Sequence, residues 1–473
     1  MLKKYVLNVL SHGFDFELTK DQNIMLDRLS EFIVEKPEDT LFLIRGFAGT
    51  GKTTMINRLV QALDVFKIPV VLMAPTGRAA KVLMNYTGKH AYTIHKQIYR
   101  QKTSTDGTGV FVLDKNILRS AFFVVDEASM ISNQSAENSV FGSGRLLDDL
   151  LEYVYSGADC RLVMVGDTAQ LPPVGLDISP ALESEVIESY GFSVVGNELT
   201  EVVRQESESG ILFNATKIRR QIAAGNTHEF PQIEVGDFDD VQWITGGELI
   251  EKINESYDQY GIHEVKILTR SNKRANLYNN GIRTSVLYRD SQIARSDLLM
   301  VVKNNYFWTE KLEEIDFIAN GDIVEISHIY GYEDIYGFRF ANVSLKFVDY
   351  GDLEVDCKII LDTLDIESAA LTYEQNSHLF YSVSEDYAEI TNKRERWKKI
   401  RLDPYFNALQ VKFAYAITTH KAQGGQWKTV FVDTGFLLPE MLNREFCRWL
   451  YTAFTRPVKK LFLVNFDKRF FEA

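Results

Sequence analysis

The chain has 473 residues, 45% of them apolar, and a formal net charge of −13. It is too long for a single core at about 150 residues per domain, and it has no apolar run long enough to cross a membrane as a helix. The acidity argues against a nucleic-acid partner only until its distribution is read: residues 306–400 hold 20 Asp and Glu against 9 Lys and Arg, so one segment carries most of the excess.

The N-terminal MLKKYVLNVLSHGFDF opens like a secretion signal. Its apolar run is only VLNVL and no small-residue cleavage site follows, so it is expected to belong to the fold. LFLIRG (41–46) reads as an apolar strand ending in glycine, residues 52–66 as a helix, PVVLMAPT (69–76) as a second buried strand and GRAAKVLMNY (77–86) as a second helix. Residues 97–120 carry a hairpin signal, DGTG between extended arms, and AFFVVDEA (121–128) and CRLVMVGD (160–167) are two more buried strands. Apolar strands alternating with helices mean a parallel sheet covered on both faces, with ligands at the carboxyl ends of the strands. The pattern returns at VKILTRSN (265–272), KTVFVDTG (428–435), the helical NREFCRWLYTAFTR (443–456) and KLFLVNF (460–466). Between these, NGDIVEISHIY, FRFANVSLKFVDY and LEVDCKIIL alternate apolar and polar residues, as in a small all-β barrel. The expected organisation is an α/β domain over 1–200 with a hairpin insertion at 97–120, a second α/β domain over 201–305 plus 405–473, and a β insertion over 306–404. Cys160, Cys357 and Cys447 lie far apart without a CxxC pair, which argues against a zinc site or a disulfide framework and fits a reducing cytoplasm.

The chemistry begins at RGFAGTGKTT (45–54), which fits GxxxxGK[ST] through Gly46, Gly51, Lys52 and Thr53, with Ala48, Gly49, Thr50 and Thr54 completing the loop. Glycines let backbone N–H groups curl around phosphate oxygens, the lysine reaches the β- and γ-phosphates, and the Thr53 hydroxyl is suited to Mg²⁺. The helix that follows aims its N-terminus at the same anion. In VVDEAS (124–129), Asp126 at a strand end is suited to orient Mg²⁺ through its water shell and Glu127 to polarise the attacking water. Gln170 in GDTAQLPPV (166–174) follows the next strand and is suited to sense the γ-phosphate or to position the attacking water. ATP and Mg²⁺ are the expected ligands.

Taken together and in order, GFAGTGKTT, APTGRAAKVL (74–83), TIHK (93–96), VVDEASM, GDTAQLPPV, LTEVVRQ (199–205), TTHKAQGGQW (418–427) and YTAFTRP (451–457) resemble a superfamily 1B DNA helicase of the RecD-like and Dda-like kind. The resemblance runs over nearly the whole chain from about residue 16. It implies two RecA-like parallel-sheet domains in tandem, a hairpin insertion in the first, an SH3-like barrel insertion in the second, ATP in the cleft and a single strand across the top. It further implies that Arg204 and Arg456 meet the γ-phosphate, that Gln22 reads adenine, and that Gln423 and Gly424 face the nucleotide. Thr76, Arg78, His95, Thr419, His420 and Lys421 become the expected contacts to the strand. Phe111 is the candidate wedge at the fork, packing of the hairpin onto its domain being the alternative. KRERWKK (393–399) is the one basic run in the acidic segment, either a solvated helix face or a further DNA contact. The expected activity is ATP-dependent unwinding of DNA with 5′ to 3′ movement, by a monomer acting on single-stranded and forked DNA. A single-strand translocase or an RNA helicase with the same chemistry, and a nucleotide-gated switch with a protein partner, are the alternatives.

Overall fold

Short apolar runs flanked by glycine and polar turns become the strands of two parallel sheets. The computed structural model describes every residue except 15, 36, 104–108, 135–140, 203–208, 310, 311, 313, 314, 316, 352, 472 and 473, and the side chains of 101–103, 109 and 110. In chain order, β1 (Thr40–Gly46), β2 (Val70–Ala74) and β3 (Ala91–Thr93) are followed by a separate antiparallel hairpin, β4 (Tyr99–Thr103) and β5 (Gly109–Leu113). Then β6 (Phe122–Val125), β7 (Arg161–Gly166) and β8 (Ser193–Leu199) complete a six-stranded sheet in the order β3-β2-β6-β7-β1-β8, parallel throughout. Alternate residues serve opposite cores, as the two-residue period of a strand requires: Leu41 and Leu43 pack into one, Phe42 and Ile44 into the other.

The second sheet takes β9 (Val241–Ile244) and β10 (Val265–Thr269) before the insertion. The insertion is a closed barrel of β11 (Leu298–Val301), β12 (Ile323–Ile335), β13 (Phe338–Phe347), β14 (Leu353–Ile360) and β15 (Leu409–Phe413). The chain then returns through β16 (Ala416–Thr418), β17 (Trp427–Asp433) and β18 (Pro457–Val464), and the second sheet reads β16-β10-β17-β18-β9, again parallel. Two RecA-like domains thus stand in tandem, with a hairpin in the first and a barrel in the second.

Two details of the insertion differ from the sequence reading. The barrel closes with β11 and β15, which lie outside 306–404 and whose runs LLMV and LQVKF look like strands of the flanking sheet. It is also not all β. After β14 the chain makes two helices, Tyr373–Glu385 and Lys393–Arg401, so that β15 comes back parallel to β14. The first of these helices is nucleated by a reciprocal cap between Thr372 and Gln375. No helix among the described residues is long and apolar enough to cross a membrane.

Candidate nucleotide cleft and strand track

β1 delivers the loop Phe47–Gly51 to the mouth between the two sheets. Gly51, at φ +92°, turns the chain left-handed directly into helix Lys52–Val65, a conformation that glycine adopts without strain. The cavity in front of that helix measures about 570 Å³ and has walls from both domains. Lys52, Thr53, Thr54, Asp126, Glu127 and Gln170 come from the first, Gln426 and Arg456 from the second.

The Lys52 ammonium donates to the Phe47 carbonyl at 2.9 Å and lies 3.9 Å from the buried Asp167 carboxylate. Asp126 is held by the Glu127 amide at 2.8 Å and the Tyr86 hydroxyl at 2.5 Å. Burial pushes the carboxyls of Asp126 and Glu127 up from the ordinary range, opposed at Glu127 by Arg456 and Lys52. Glu127 also sits at φ +53°, a left-handed position that costs a residue other than glycine backbone energy and turns up where function over-determines it. Arg456 is buried, and among the described residues its guanidinium donates only to neutral oxygens: Thr452 O at 3.1 Å, Gly425 O at 3.3 Å and Thr455 Oγ1 at 3.0 Å. Its charge therefore remains available to an anion in the cavity. Gln170, which lines the same cavity, is buried with its Oε1 atom unpartnered among the described residues. Thr53 and Asp126 offer the oxygen donors that Mg²⁺ takes beside phosphate.

Helix Arg444–Phe454 of the second domain clamps the loop after β7. The Tyr451 hydroxyl accepts from the Ala48 amide at 2.9 Å and donates to Asp167 at 2.7 Å. Thr452 Oγ1 accepts from the Leu171 amide at 2.9 Å, and Gln423 Nε2 donates to the Leu171 carbonyl at 2.6 Å. Neither Tyr451 nor Asp167 stood out in the sequence, because each lies inside a motif whose arginine or glutamine drew attention.

Several expected contacts lie elsewhere. Gln22 does not line the cavity. It is fully buried, accepting from the Thr19 amide and donating to the Thr50 carbonyl, so both amide atoms are engaged. Gln423 turns to Leu171 rather than to nucleotide. Gly424, at φ +72°, is pressed against the start of helix Gly77–Thr87, where a Cβ would come within 2.8 Å of Ala79 Cβ and 3.3 Å of Thr76 Oγ1. Among the second-domain glutamines of this segment, Gln426 is the one that reaches the cavity. Gly46 and Thr50 shape the loop from behind, with Thr50 completely buried. Arg204 lies outside the described residues.

The strand-track candidates divide in the same way. Thr76 caps helix Gly77–Thr87 by accepting from the Ala79 amide at 3.2 Å. Arg78 lies over the Trp427 ring, 5.4 Å from its centroid, and donates to the Gln426 carbonyl at 3.1 Å, so the two domains meet at this side chain. His420 and Lys421 are half-buried with their pKa values lowered by burial, and Lys421 bonds Asn320. Thr419 is fully buried with an unpartnered hydroxyl and presents nothing to a strand at the surface. His95 packs edge-on to Phe141 at 4.7 Å, and burial depresses its pKa to about 4, so it brings no positive charge to a phosphate at neutral pH. Phe111 is 3% exposed, enclosed by Phe141 at 4.9 Å and Tyr306 at 4.8 Å. A ring so enclosed packs the hairpin onto the body and is not a free wedge.

Residues 18–248 match the AAA domain family, and residues 413–464 match the UvrD-like helicase C-terminal domain. The first match takes in the whole first sheet and β9 of the second, and the second match takes in β16, β17, helix Arg444–Phe454 and β18. Together the two matches and the relatives below support a superfamily 1B helicase. Within that superfamily it is 25% identical to the ATP-dependent DNA helicase dda of Enterobacteria phage T4, over 66% of this chain and 67% of that one. It is 29% identical to the ATP-dependent RecD2 DNA helicase of Deinococcus radiodurans, but over 41% of this chain and only 23% of RecD2. It is also 24% identical to protein R530 of Acanthamoeba polyphaga mimivirus, across 93% of this chain and 98% of the viral one. A solved structure of Pif1 helicases at forked double-stranded DNA aligns over 97% of this helicase and 95% of that chain, at 15% identity and a TM-score of 0.46.

Proposed function

We propose that this superfamily 1B protein is an ATP-dependent DNA helicase that moves on single-stranded DNA and uses each hydrolysis cycle to advance. The observation that carries the reading is the two-sided cavity, with Lys52, Asp126 and Glu127 on one wall and Arg456 on the other. In this reading the loop amides and Lys52 hold the phosphates. Glu127, whose raised pKa makes it the better proton acceptor, takes the proton of the attacking water. Arg456 stabilises the charge that develops on the transferred phosphoryl group. Thr53 and Asp126 would hold Mg²⁺, which neutralises phosphate charge when bound. Arg78, Trp427 and Gln426 lie at the junction of both domains, so closure around ATP moves the groups that grip the strand. All of this chemistry sits on one chain, which supports a monomer as the active form.

Movement in the 5′ to 3′ direction rests on the likeness to Dda and RecD2. The test is ATP turnover with and without oligo-dT, followed by unwinding of two forks that differ only in which end carries the single-stranded tail. Strong stimulation and opening of the 5′-tailed fork are expected. Turnover indifferent to DNA would favour the nucleotide-gated switch. Stimulation without opening would leave a translocase, and stimulation by RNA but not DNA would move the substrate class.

A further inference from the structure

The turn between β13 and β14 reaches from the barrel across to helix Gly77–Thr87 of the first domain. Asp349 Oδ1 lies 3.2 Å from Arg78 Nη1 and 3.6 Å from Lys81 Nζ, and Lys81 also donates to the Val348 carbonyl at 2.5 Å. The next residue, Tyr350, covers Gly77 so closely that a Cβ there would lie 2.4 Å from its hydroxyl. The Asp349 side chain is 2% exposed, and its second oxygen has no hydrogen-bond partner. A carboxylate taken from water and half-satisfied is costly, and stability alone gives little reason to keep it. Beside the contact lies a cavity of about 520 Å³ lined by Lys81, His90, Tyr92, Lys96 and Tyr350, cations and rings together. That mixture suits a nucleotide unit, phosphate against the cations and base against a ring.

We propose that the turn Val348–Gly351 is a phosphate-mimicking latch: Asp349 holds Arg78 and Lys81 in the DNA-free protein, and the backbone phosphate of a single strand displaces it. An oxygen of a phosphate can accept from the guanidinium and the ammonium as Asp349 Oδ1 does, so the exchange keeps the donors satisfied. When it happens, the turn leaves the helix and the neighbouring cavity opens to the strand. The inference rests on the strand-binding reading above and adds an internal competitor to it.

The test is binding of fluorescent dT20 at fixed salt to the wild type, Asp349→Asn and Glu354→Gln. The last removes the same charge from an exposed position on the same barrel. Loss of the competitor is expected to tighten binding about two- to fivefold in Asp349→Asn, the range of an ion pair whose cations reach solvent, and to leave Glu354→Gln near wild type. Amide hydrogen exchange on the wild type supplies a measurement that no variant can spoil: dT20 should speed exchange in the β13–β14 turn. Asp349→Asn binding no tighter than the wild type, equal tightening in Glu354→Gln, or a turn that dT20 leaves unchanged or protects would each overturn the latch while strand binding stands. A wild type that does not bind dT20 would bring down the strand-binding reading itself, and the latch with it.

Discussion

At the nucleotide cleft the second domain reaches the first through directional bonds: Tyr451 to Ala48 and Asp167, Thr452 and Gln423 to Leu171. At the root of the barrel it reaches the first domain through rings. Tyr306 and Phe317 pack on Phe111, Phe141 and His95, with centroid separations of 4.8 to 6.3 Å. The two junctions answer to different perturbations. A hydrogen bond can change partners when an anion enters, because water or phosphate replaces what it loses. A ring cluster has no such substitute and opens only at the cost of its buried area. The cleft is therefore the junction expected to rearrange in each ATP cycle, and the ring cluster the one that keeps the hairpin and the barrel root together.

The largest test of that contrast is Lys52→Ala. Lys52 is partly exposed and bonded to a carbonyl, so its loss should abolish ATP turnover while leaving dT20 binding and the melting temperature nearly intact. Turnover near wild type would remove the cleft from the account. Arg456→Ala comes next. Nucleotide binding should survive with turnover reduced at least about 10³-fold, the usual worth of such an arginine. Parallel loss of binding and turnover would mean that Arg456 instead organises the fold between Gly425 and Thr452.

The opposite signature is expected at the rings. Phe111→Ala should cost about 3 to 5 kcal/mol, read as a shifted denaturant midpoint, while ATP turnover below the melting range stays close to wild type. A stable Phe111→Ala variant that hydrolyses ATP but opens forks slowly would restore the wedge role that burial argues against.

The same contrast explains what could be read from sequence. The phosphate loop, Asp126 and Glu127 are local: each motif contains its own strand end and turn, so LFLIRG and AFFVVDEA announced both the element and the chemistry. Strands β1, β2, β6, β7, β10, β17 and β18 were legible because each is a buried apolar run. The four-residue β9, with its exposed Trp243, and the three-residue β16 are too short for any period to show. Of the insertion's helices, Tyr373–Glu385 has few buried positions and gave no apolar period, whereas KRERWKK was open to reading as a solvated helix face, which is the form it takes in Lys393–Arg401. What Phe111 touches was beyond reach, since Phe141, Tyr306 and Phe317 come from separate parts of the chain. Gln22 was out of reach for a related reason: a glutamine near a helix start says nothing about whether its amide is engaged by the backbone, as it is here.

The smallest expected effect lies inside the ring cluster and tests its dryness. His95 is half-buried against Phe141, and burial lowers its pKa to about 4, opposed in part by the charge of Asp149. That carboxylate is itself engaged by the Tyr99 hydroxyl at 2.6 Å and the Ser143 amide at 3.0 Å, so it is not free to follow a proton onto the imidazole. In the unfolded chain the histidine titrates near 6.5. The folded pKa lies below the unfolded one, so the unfolded state takes up the proton first. The stability that neutral His95 contributes is therefore full above about pH 6.5 and is lost as the pH falls toward 4. Replacing it by phenylalanine keeps a ring in place and removes the titration. The melting temperature of the wild type should drop relative to His95→Phe by no more than a few degrees across that window, and the difference should stay constant above pH 7. A difference that is flat down to pH 4 would mean that the imidazole reaches water when protonated, and that the junction at the barrel root opens far more readily than a packed cluster should.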